Sequence, residues 1–420
     1  MSLKDELVAQ MREGPVIDTH EHIAPRDPKA YDGLFALWQF SYVGSHFGAA
    51  GMPAEVWSMA AEDEAKAWQA VRPYLDRVGN TAYYRNLLLA CRELYGLEDE
   101  DISDDNWQSL SETIRAKGQQ EGWGEEVFRR AGVRKALEDT YWSPLPDEMP
   151  LGGDVLARVL RINMFVTAPL RGMTDHNGNS PYDFEERFGL KVLRLSDYLD
   201  LIEAVLQWNL ERGVVAIKSA LAYDRELFFE DVPREDAETI FDLGDQRPHA
   251  VKALGDFIMH HILGRAQAVG LPVQIHTGYL AGGGYLQGRD PKALTNLITK
   301  FSDVRFDLFH GGYPYAGELA FLGAHYRNVY VDLCWLPLIS PTATRQYLHE
   351  WIDQVPMSKI LWGGDCLRVD AAYAAVRYAQ EVVAGALEAK VAEGYMPDTM
   401  AFELAKRIFH DNAAELFFGE

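Results

Sequence analysis

The sequence predicts an α/β chain in which eight strand-and-helix units close into a (β/α)8 barrel, with a helical insertion after the first strand. Three observations predict it. Short apolar runs alternate with amphipathic stretches from residue 133 to the carboxyl end, a rhythm of parallel strands joined by crossover helices. Several of those runs end abruptly in His, Lys or Asp, as barrel strands do where they supply a site. One such run, GPVIDTHEH, stands alone before a long strand-free stretch. A TIM barrel is therefore the expected architecture, with a doubly wound open sheet as the alternative.

Residues 3–13 form a short helix-compatible lead-in, which Gly14-Pro15 punctuates before the first strand, Val16 to Thr19. Alternation along that strand turns His20 and His22 to one side, where two imidazoles can share a metal. Among twelve histidines one such pair carries little weight alone, so its meaning depends on the strand ends downstream. From about 30 to 132 the chain reads as helices rich in aromatics, including Trp38, Trp57, Trp68, Tyr83, Tyr84 and Trp107. Ala60 to Val78 has helical spacing with acidic residues in its first turn. This insertion is expected to cap the site, its aromatics forming the cap's own core.

The remaining strands are expected at Lys135 to Tyr141, Val159 to Val166, Val214 to Ser219, Leu271 to His276, Val304 to His310, Val329 to Trp335 and Ile360 to Asp365. Helical patterns lie at Ser196 to Arg212, Ala250 to Val269, Pro291 to Phe301, Ala316 to Tyr326, Pro341 to Gln354 and Asp370 to Lys390. The link between strands two and three is too short for a full helix. The whole chain, 1–420, is read as a single domain including the insertion.

Composition narrows the partners. With 48% hydrophobic residues over 420 positions the chain can bury a large core. A formal charge of -23 repels phosphate backbones and anionic lipid, so no nucleic-acid or membrane partner is expected and a small-molecule substrate is. Three scattered cysteines make no disulfide framework and suit the cytoplasm. No window reaches the ~18 apolar residues of a membrane span. Surface helices of this kind often support a homo-oligomer. The acidic run Glu98 to Asp105 reads as a solvated edge, since its spacing does not match a calcium loop.

Strand ends supply the chemistry. His20 and His22, Lys218, His276, His310 and Asp365 come from five of them. Such a set suits zinc first, with manganese or iron as alternatives, leaving positions for water. Arg225, Tyr279 and Arg368 lie a few residues beyond strand ends and Arg289 farther past strand five, and arginine pairs bidentately with carboxylate, which suggests a carboxylated substrate. Gly282 to Gly284 lacks the Lys-Ser/Thr of a phosphate loop and suits a close backbone approach or a mobile lid. Cys366 has no assignable base, which argues against a cysteine nucleophile.

The His-Xaa-His of the first strand, the histidines ending strands five and six, and the aspartate ending strand eight resemble the amidohydrolase superfamily of metal-dependent barrel enzymes. The likeness runs from Gly14 to the closing HDNAAELF at 410–417. Ile23 to Val56, with LWQF, SHF and GMP, resembles the uronate isomerases. HTGYLAGGG through FHGGYPYAGELAFLGAHYRNVYVDLCW is similar to the amidohydrolase-related domain of glutamine synthetase-like proteins.

The resemblance implies that His20, His22, His276 and Asp365 bind one divalent ion, with Asp365 also the general base. It leaves His310 either to ligate a second ion or to stay off the metal and polarise or protonate the substrate. Lys218 is then a carbamate bridging two ions, a binder of the substrate's carboxylate, or a structural salt bridge. The implied activity is a hydrolase cleaving an amide or ester. A uronate-type aldose-ketose isomerase, a non-oxidative decarboxylase and a catalytically silent scaffold are the alternatives.

Overall fold

The computed structural model describes residues 1–23, 31–152 and 155–420. Eight parallel strands occur among them, β1 (Val16–Glu21), β2 (Val133–Glu138), β3 (Leu156–Arg161), β4 (Ala216–Ser219), β5 (Val273–Ile275), β6 (Phe306–Leu308), β7 (Val329–Asp332) and β8 (Ile360–Leu361). They pair in sequence order from β1 to β8. The ring closes beyond β8, where Thr19 N donates to Trp362 O at 3.3 Å and Asp365 N to His20 O at 2.7 Å. The open-sheet alternative is excluded by that closure.

Helices at Leu195–Leu210, Pro248–Val269, Ala316–His325, Pro341–Gln354 and Val369–Ala392 cover the ring as expected. Between β2 and β3 the described residues contain no helix. The strands end earlier than their apolar runs suggest. Residues Asn163–Thr167 are helical, because Asn163 turns inward to accept from Ala220 N at 2.8 Å and donate to Asp224 at 2.7 Å. After β6, β7 and β8 the chain leaves extended geometry at His310, Trp335 and Asp365, whose φ angles are 63°, 59° and 57°. Left-handed geometry costs a side-chain-bearing residue on the order of 1 kcal/mol, and such residues cluster at functional sites.

The carboxyl end plugs the barrel floor. Ala413, Ala414, Leu416 and Phe417 pack against Ile17, Leu137, Val159, Ala216 and Leu361 from the strands. A buried polar layer completes the interior. There Thr19 Oγ1 donates to Asp332 at 2.6 Å, while Gln274 donates to Thr19 O at 2.9 Å and to Asp307 at 3.1 Å. Burial pushes the Asp332 carboxyl up to about 7.

The regular elements of the insertion's described residues are all helices, from Gly33–Gln39 to Trp123–Ala131, and its expected beginning at about 30 touches residues 24–30, which lie outside the described residues. The expected helix Ala60 to Val78 is divided at Asp63, whose carboxylate caps the second part by accepting from Lys66 N at 3.0 Å. Trp38, Trp68 and Trp107 stack in the cap's core, Trp68 and Trp107 with centroids 5.1 Å apart. The acidic run is exposed, as expected, at Glu98, Asp99, Glu100, Asp104 and Asp105, and two of its carboxylates also tie the cap together. Asp104 accepts from the Trp68 indole at 2.7 Å, and Asp101 from the Tyr84 hydroxyl.

Candidate metal centre

Strand β1 carries His20, and His22 lies one residue beyond its end. Their Nε2 atoms are 3.1 Å apart, on one side as alternation requires. Across the closing seam, Asp365 places Oδ1 at 3.6 Å from His20 Nε2 and 3.3 Å from His22 Nε2. Contacts from Asp18 and Glu21 hold the loop that carries Asp365 against β1. Gly364 N donates to Asp18 at 2.9 Å and Cys366 N to Glu21 at 2.6 Å.

A second imidazole pair lies beside the first. His276 Nδ1 and His310 Nε2 are 2.9 Å apart, and His310 Nε2 is 3.9 Å from Asp365 Oδ2. Hydrogen bonds fix the tautomers. His22 Nδ1 donates to Asp139 O at 2.8 Å, His276 Nε2 to Tyr279 O at 2.7 Å, and His310 Nδ1 to Cys334 O at 3.2 Å. Their other nitrogens therefore present lone pairs inward, toward one another and toward Asp365. Such convergence is repulsive until a proton or cation sits among the lone pairs, and this donor set fits a divalent ion.

Burial reinforces that fit. It holds His20 and His276 well below the ordinary imidazole value and pushes His310 down to about 4, so these rings are neutral, as ligands must be. Burial would raise Asp365, but its contacts with His22, His310 and Lys218 outweigh it and hold the carboxyl at about 2. Lys218 lies in β4 completely buried, and desolvation pushes its ammonium down to about 8. Its Nζ lies 3.6 Å from the Phe309 ring centroid and has no hydrogen-bond partner among the described residues.

These groups open into a cavity of about 240 Å3, lined by His20, His22, His276, Asp365 and Lys218 from the barrel and by Tyr42 from the cap. An adjoining wall holds Arg161, Tyr141, His176, Asn177 and Tyr223, with Tyr141 packed on His22 and Tyr223 on His276. Sequence reasoning missed that wall. Arg161 ends β3 and donates to the buried Asp139 at 2.6 Å; its signal, a charged residue closing an apolar strand, is hidden because the apolar run continues to Val166. His176 sits in a loop and Tyr223 ends a one-turn 3-10 helix after β4, neither with a periodic signature.

Three arginines expected at the substrate are elsewhere. Arg225 pairs with Asp256 and also reaches Phe228 O at 3.1 Å. Arg368 is fully buried against Asp370, with an Nε to Oδ1 distance of 2.9 Å. Arg289 donates to Ala222 O at 2.9 Å and Gln287 O at 2.6 Å, bracing the loop after β5. All three guanidiniums are occupied by structural partners. Tyr279 contributes its carbonyl to His276, while its ring packs 5.5 Å from Trp335.

Residues 222–419 match the family model described as "Amidohydrolase", a region containing His276, His310 and Asp365. Protein fluG of Emericella nidulans is 28% identical over 223 residues, 50% of this chain and 26% of fluG. The chain thus spans about a quarter of that curated relative's length. Similar solved structures include the uronate isomerase of Thermotoga maritima (TM-score 0.83, 17% identity, 99% of this chain and 97% of that one). The glucuronate isomerase of Caulobacter crescentus gives TM-score 0.81 at 16% identity, covering 100% and 94%. A protein of Lactobacillus casei proposed to be a metal-dependent hydrolase gives 0.69 at 17%, covering 98% and 97%. Among the described residues no helix is long and apolar enough to cross a membrane.

Proposed function

We propose that the chain, residues 222–419 of which match the amidohydrolase family model, is a member of the amidohydrolase superfamily and a metal-dependent hydrolase of a small, polar, carboxylated amide or ester. The observation that carries the reading is the convergence of imidazole lone pairs on Asp365. His20, His22, His276 and Asp365 would hold a divalent ion, zinc first and manganese or iron next, with His310 beside them. When bound, the ion supplies Lewis acidity, polarising a carbonyl and making water acidic enough to attack near neutral pH.

The protein's own groups do the rest. Asp365, ionised throughout the neutral range, accepts the proton of the attacking water. Asp139 O fixes the ring of His22, so that its Nε2 needs no reorientation. Arg161 and Lys218 line the same cavity as the histidines and supply positive charge for a substrate carboxylate. The cavity of about 240 Å3 favours a small substrate, and Tyr42 brings the cap over it, limiting water. Three buried free cysteines support a cytoplasmic setting.

A uronate-type isomerase is the second reading. It is favoured by the likeness to the Thermotoga maritima uronate isomerase, which extends over 99% of this chain and so includes the helical cap.

The test assays metal-loaded protein against a library of carboxylated amides and esters, and separately against hexuronates. Hydrolysis that disappears in His22→Ala and Asp365→Asn supports the first reading. Hexuronate isomerisation without hydrolysis replaces it with the second. Protein that retains no metal after incubation with zinc or manganese overturns both.

A further inference from the structure

Arg161 carries more hydrogen-bond donors than the protein uses. Its Nη1 donates to Asp139 Oδ2 at 2.6 Å and its Nη2 to His176 Nε2 at 3.4 Å, while its Nε is buried with no hydrogen-bond partner among the described residues. A guanidinium holds its N–H groups in one planar fork, so those anchors leave donors for a ligand. Lys218, its register partner on β4, is also buried, and its Nζ has no hydrogen-bond partner among the described residues. Of the carboxylates acting on Lys218, Asp365 faces the imidazoles and Asp139 is already paired with Arg161. The wall therefore keeps positive charge and spare donors for an anion.

An imidazole aims those donors. His176 Nδ1 donates to Asp224 Oδ2 at 2.8 Å, and its backbone N donates to Asp224 Oδ1 at 3.0 Å. Asp224 is in turn fixed by Asn163 Nδ2 at 2.7 Å, and its side chain is only 9% exposed. With the hydrogen on Nδ1, Nε2 is an acceptor, and two donors meet it, Arg161 Nη2 and, at 3.0 Å, Asn177 Nδ2. The other tautomer would set an N–H against both. An amide nitrogen has a second hydrogen, so Asn177 also keeps a donor for another acceptor. The Tyr223 ring stacks on the imidazole with centroids 5.1 Å apart and packs 4.8 Å from His276, which fixes the plane of His176 beside the metal centre. Asp139 makes a second link to that centre: its carboxylate accepts from Arg161 and its carbonyl from His22 Nδ1 at 2.8 Å.

Resting on the reading of a carboxylated substrate, we infer that Asp224 and His176 are a positioning pair that turns Arg161 and Asn177 into the cavity, where these two donors take the substrate's carboxylate and set the preference for it. Arg161 supplies charge and a planar edge, and Asn177 a neutral donor beside it. His176 acts only through them; it touches no reacting atom and exchanges no proton. Because Asp139 joins Arg161 to His22, and the cavity holds about 240 Å3, the carboxylate and the group at the ion belong to one short molecule.

The test titrates zinc-loaded protein calorimetrically with two probes of equal length, the monohydroxamate of succinic acid and butyrohydroxamate. Both chelate the ion through the hydroxamate, and only the first ends in a carboxylate. The parent should bind the succinic probe about tenfold or more tightly than butyrohydroxamate. His176→Leu removes the acceptor and should cut that preference to less than about threefold, with butyrohydroxamate affinity, metal content and Tm near parental values. His176→Gln offers a carbonyl oxygen to the same two donors and should keep most of the preference, a rescue that a merely structural ring does not predict. Asp224→Asn takes the anion from Nδ1, loosens the choice of tautomer and should give an intermediate preference. Parental preference in His176→Leu, equal weakening of both probes, or a His176→Gln as impaired as His176→Leu overturns the positioning role alone. A parent that binds both probes alike removes the carboxylated-substrate reading and the role with it, and a parent that retains no zinc removes the metal centre and both.

Discussion

His276 Nδ1 and His310 Nε2 face each other at 2.9 Å although each ring has already given its N–H to a carbonyl, Tyr279 O and Cys334 O respectively. Two lone pairs at that distance destabilise the metal-free protein, and a cation among them removes the repulsion. Metal binding should therefore stabilise the fold by mass action, by about 2.7 kcal/mol at a free metal concentration 100 times the dissociation constant. Differential scanning calorimetry with and without a chelator should show a lower Tm for the stripped protein, restored by zinc or manganese. An unchanged Tm would mean that the facing imidazoles do not hold a metal.

Lys218 distinguishes one ion from two. Its Nζ faces the Phe309 ring with no hydrogen-bond partner among the described residues, an arrangement suited to meeting a substrate anion. Lys218→Ala should keep every metal ion of the parent, counted by plasma mass spectrometry, and raise KM for a carboxylated substrate about tenfold or more. Loss of one ion from a parent holding two would instead identify a bridging carbamate.

Gly364 is required by close packing. A Cβ there would meet Glu21 Oε1 at 2.2 Å and Asp18 Oδ2 at 3.0 Å, the carboxylates that tie the Asp365 loop to β1. Gly364→Ala should lower stability by about 1–3 kcal/mol in urea unfolding and weaken metal retention, because the displaced loop carries Asp365. Parental stability in this variant would contradict the packing described.

The pH dependence can be isolated at His261, whose imidazole is held below its ordinary value by burial and whose Nε2 has no hydrogen-bond partner among the described residues. The unfolded chain binds the proton first as pH falls below about 6.5, so this residue's contribution is intact above that pH and is lost on acidification. The slope it adds is at most about 1.4 kcal/mol per pH unit. His261→Gln should flatten the fall of Tm between neutral pH and about pH 5 relative to the parent. Parallel Tm profiles would show that His261 is not buried as a neutral ring.

The legible part of this molecule is bounded by the reach of periodicity. Apolar runs locate the strands, and their terminal His, Lys and Asp residues point to the cavity, because a barrel places strand ends together whatever its loops do. Turns such as those at His310, Trp335 and Asp365 leave no mark on an apolar pattern, so the runs overstate the strands. The same overextension along β3 conceals Arg161. Distance from a strand end says nothing about direction, and Arg225 and Arg368 turn to Asp256 and Asp370 instead of the cavity. The pairing of His176 with Asp224 joins two loops 48 positions apart and has no local signature.

Arg161 joins the structural and chemical halves of the cavity wall. Its Nη1 donates to Asp139, a carboxylate with no exposed surface, while its Nε has no hydrogen-bond partner among the described residues and the side chain lines the cavity. Removing the cation outright would strand Asp139 at a cost of about 3–5 kcal/mol, so Arg161→Ala would confuse folding with binding. Arg161→Lys keeps a charge for Asp139 but loses the planar fork that grips a carboxylate. KM for a carboxylated substrate should rise about tenfold, with kcat and metal content near parental values and an uncharged analogue affected less. Equal effects on the charged and uncharged substrates would show that Arg161 positions the wall without binding the carboxylate.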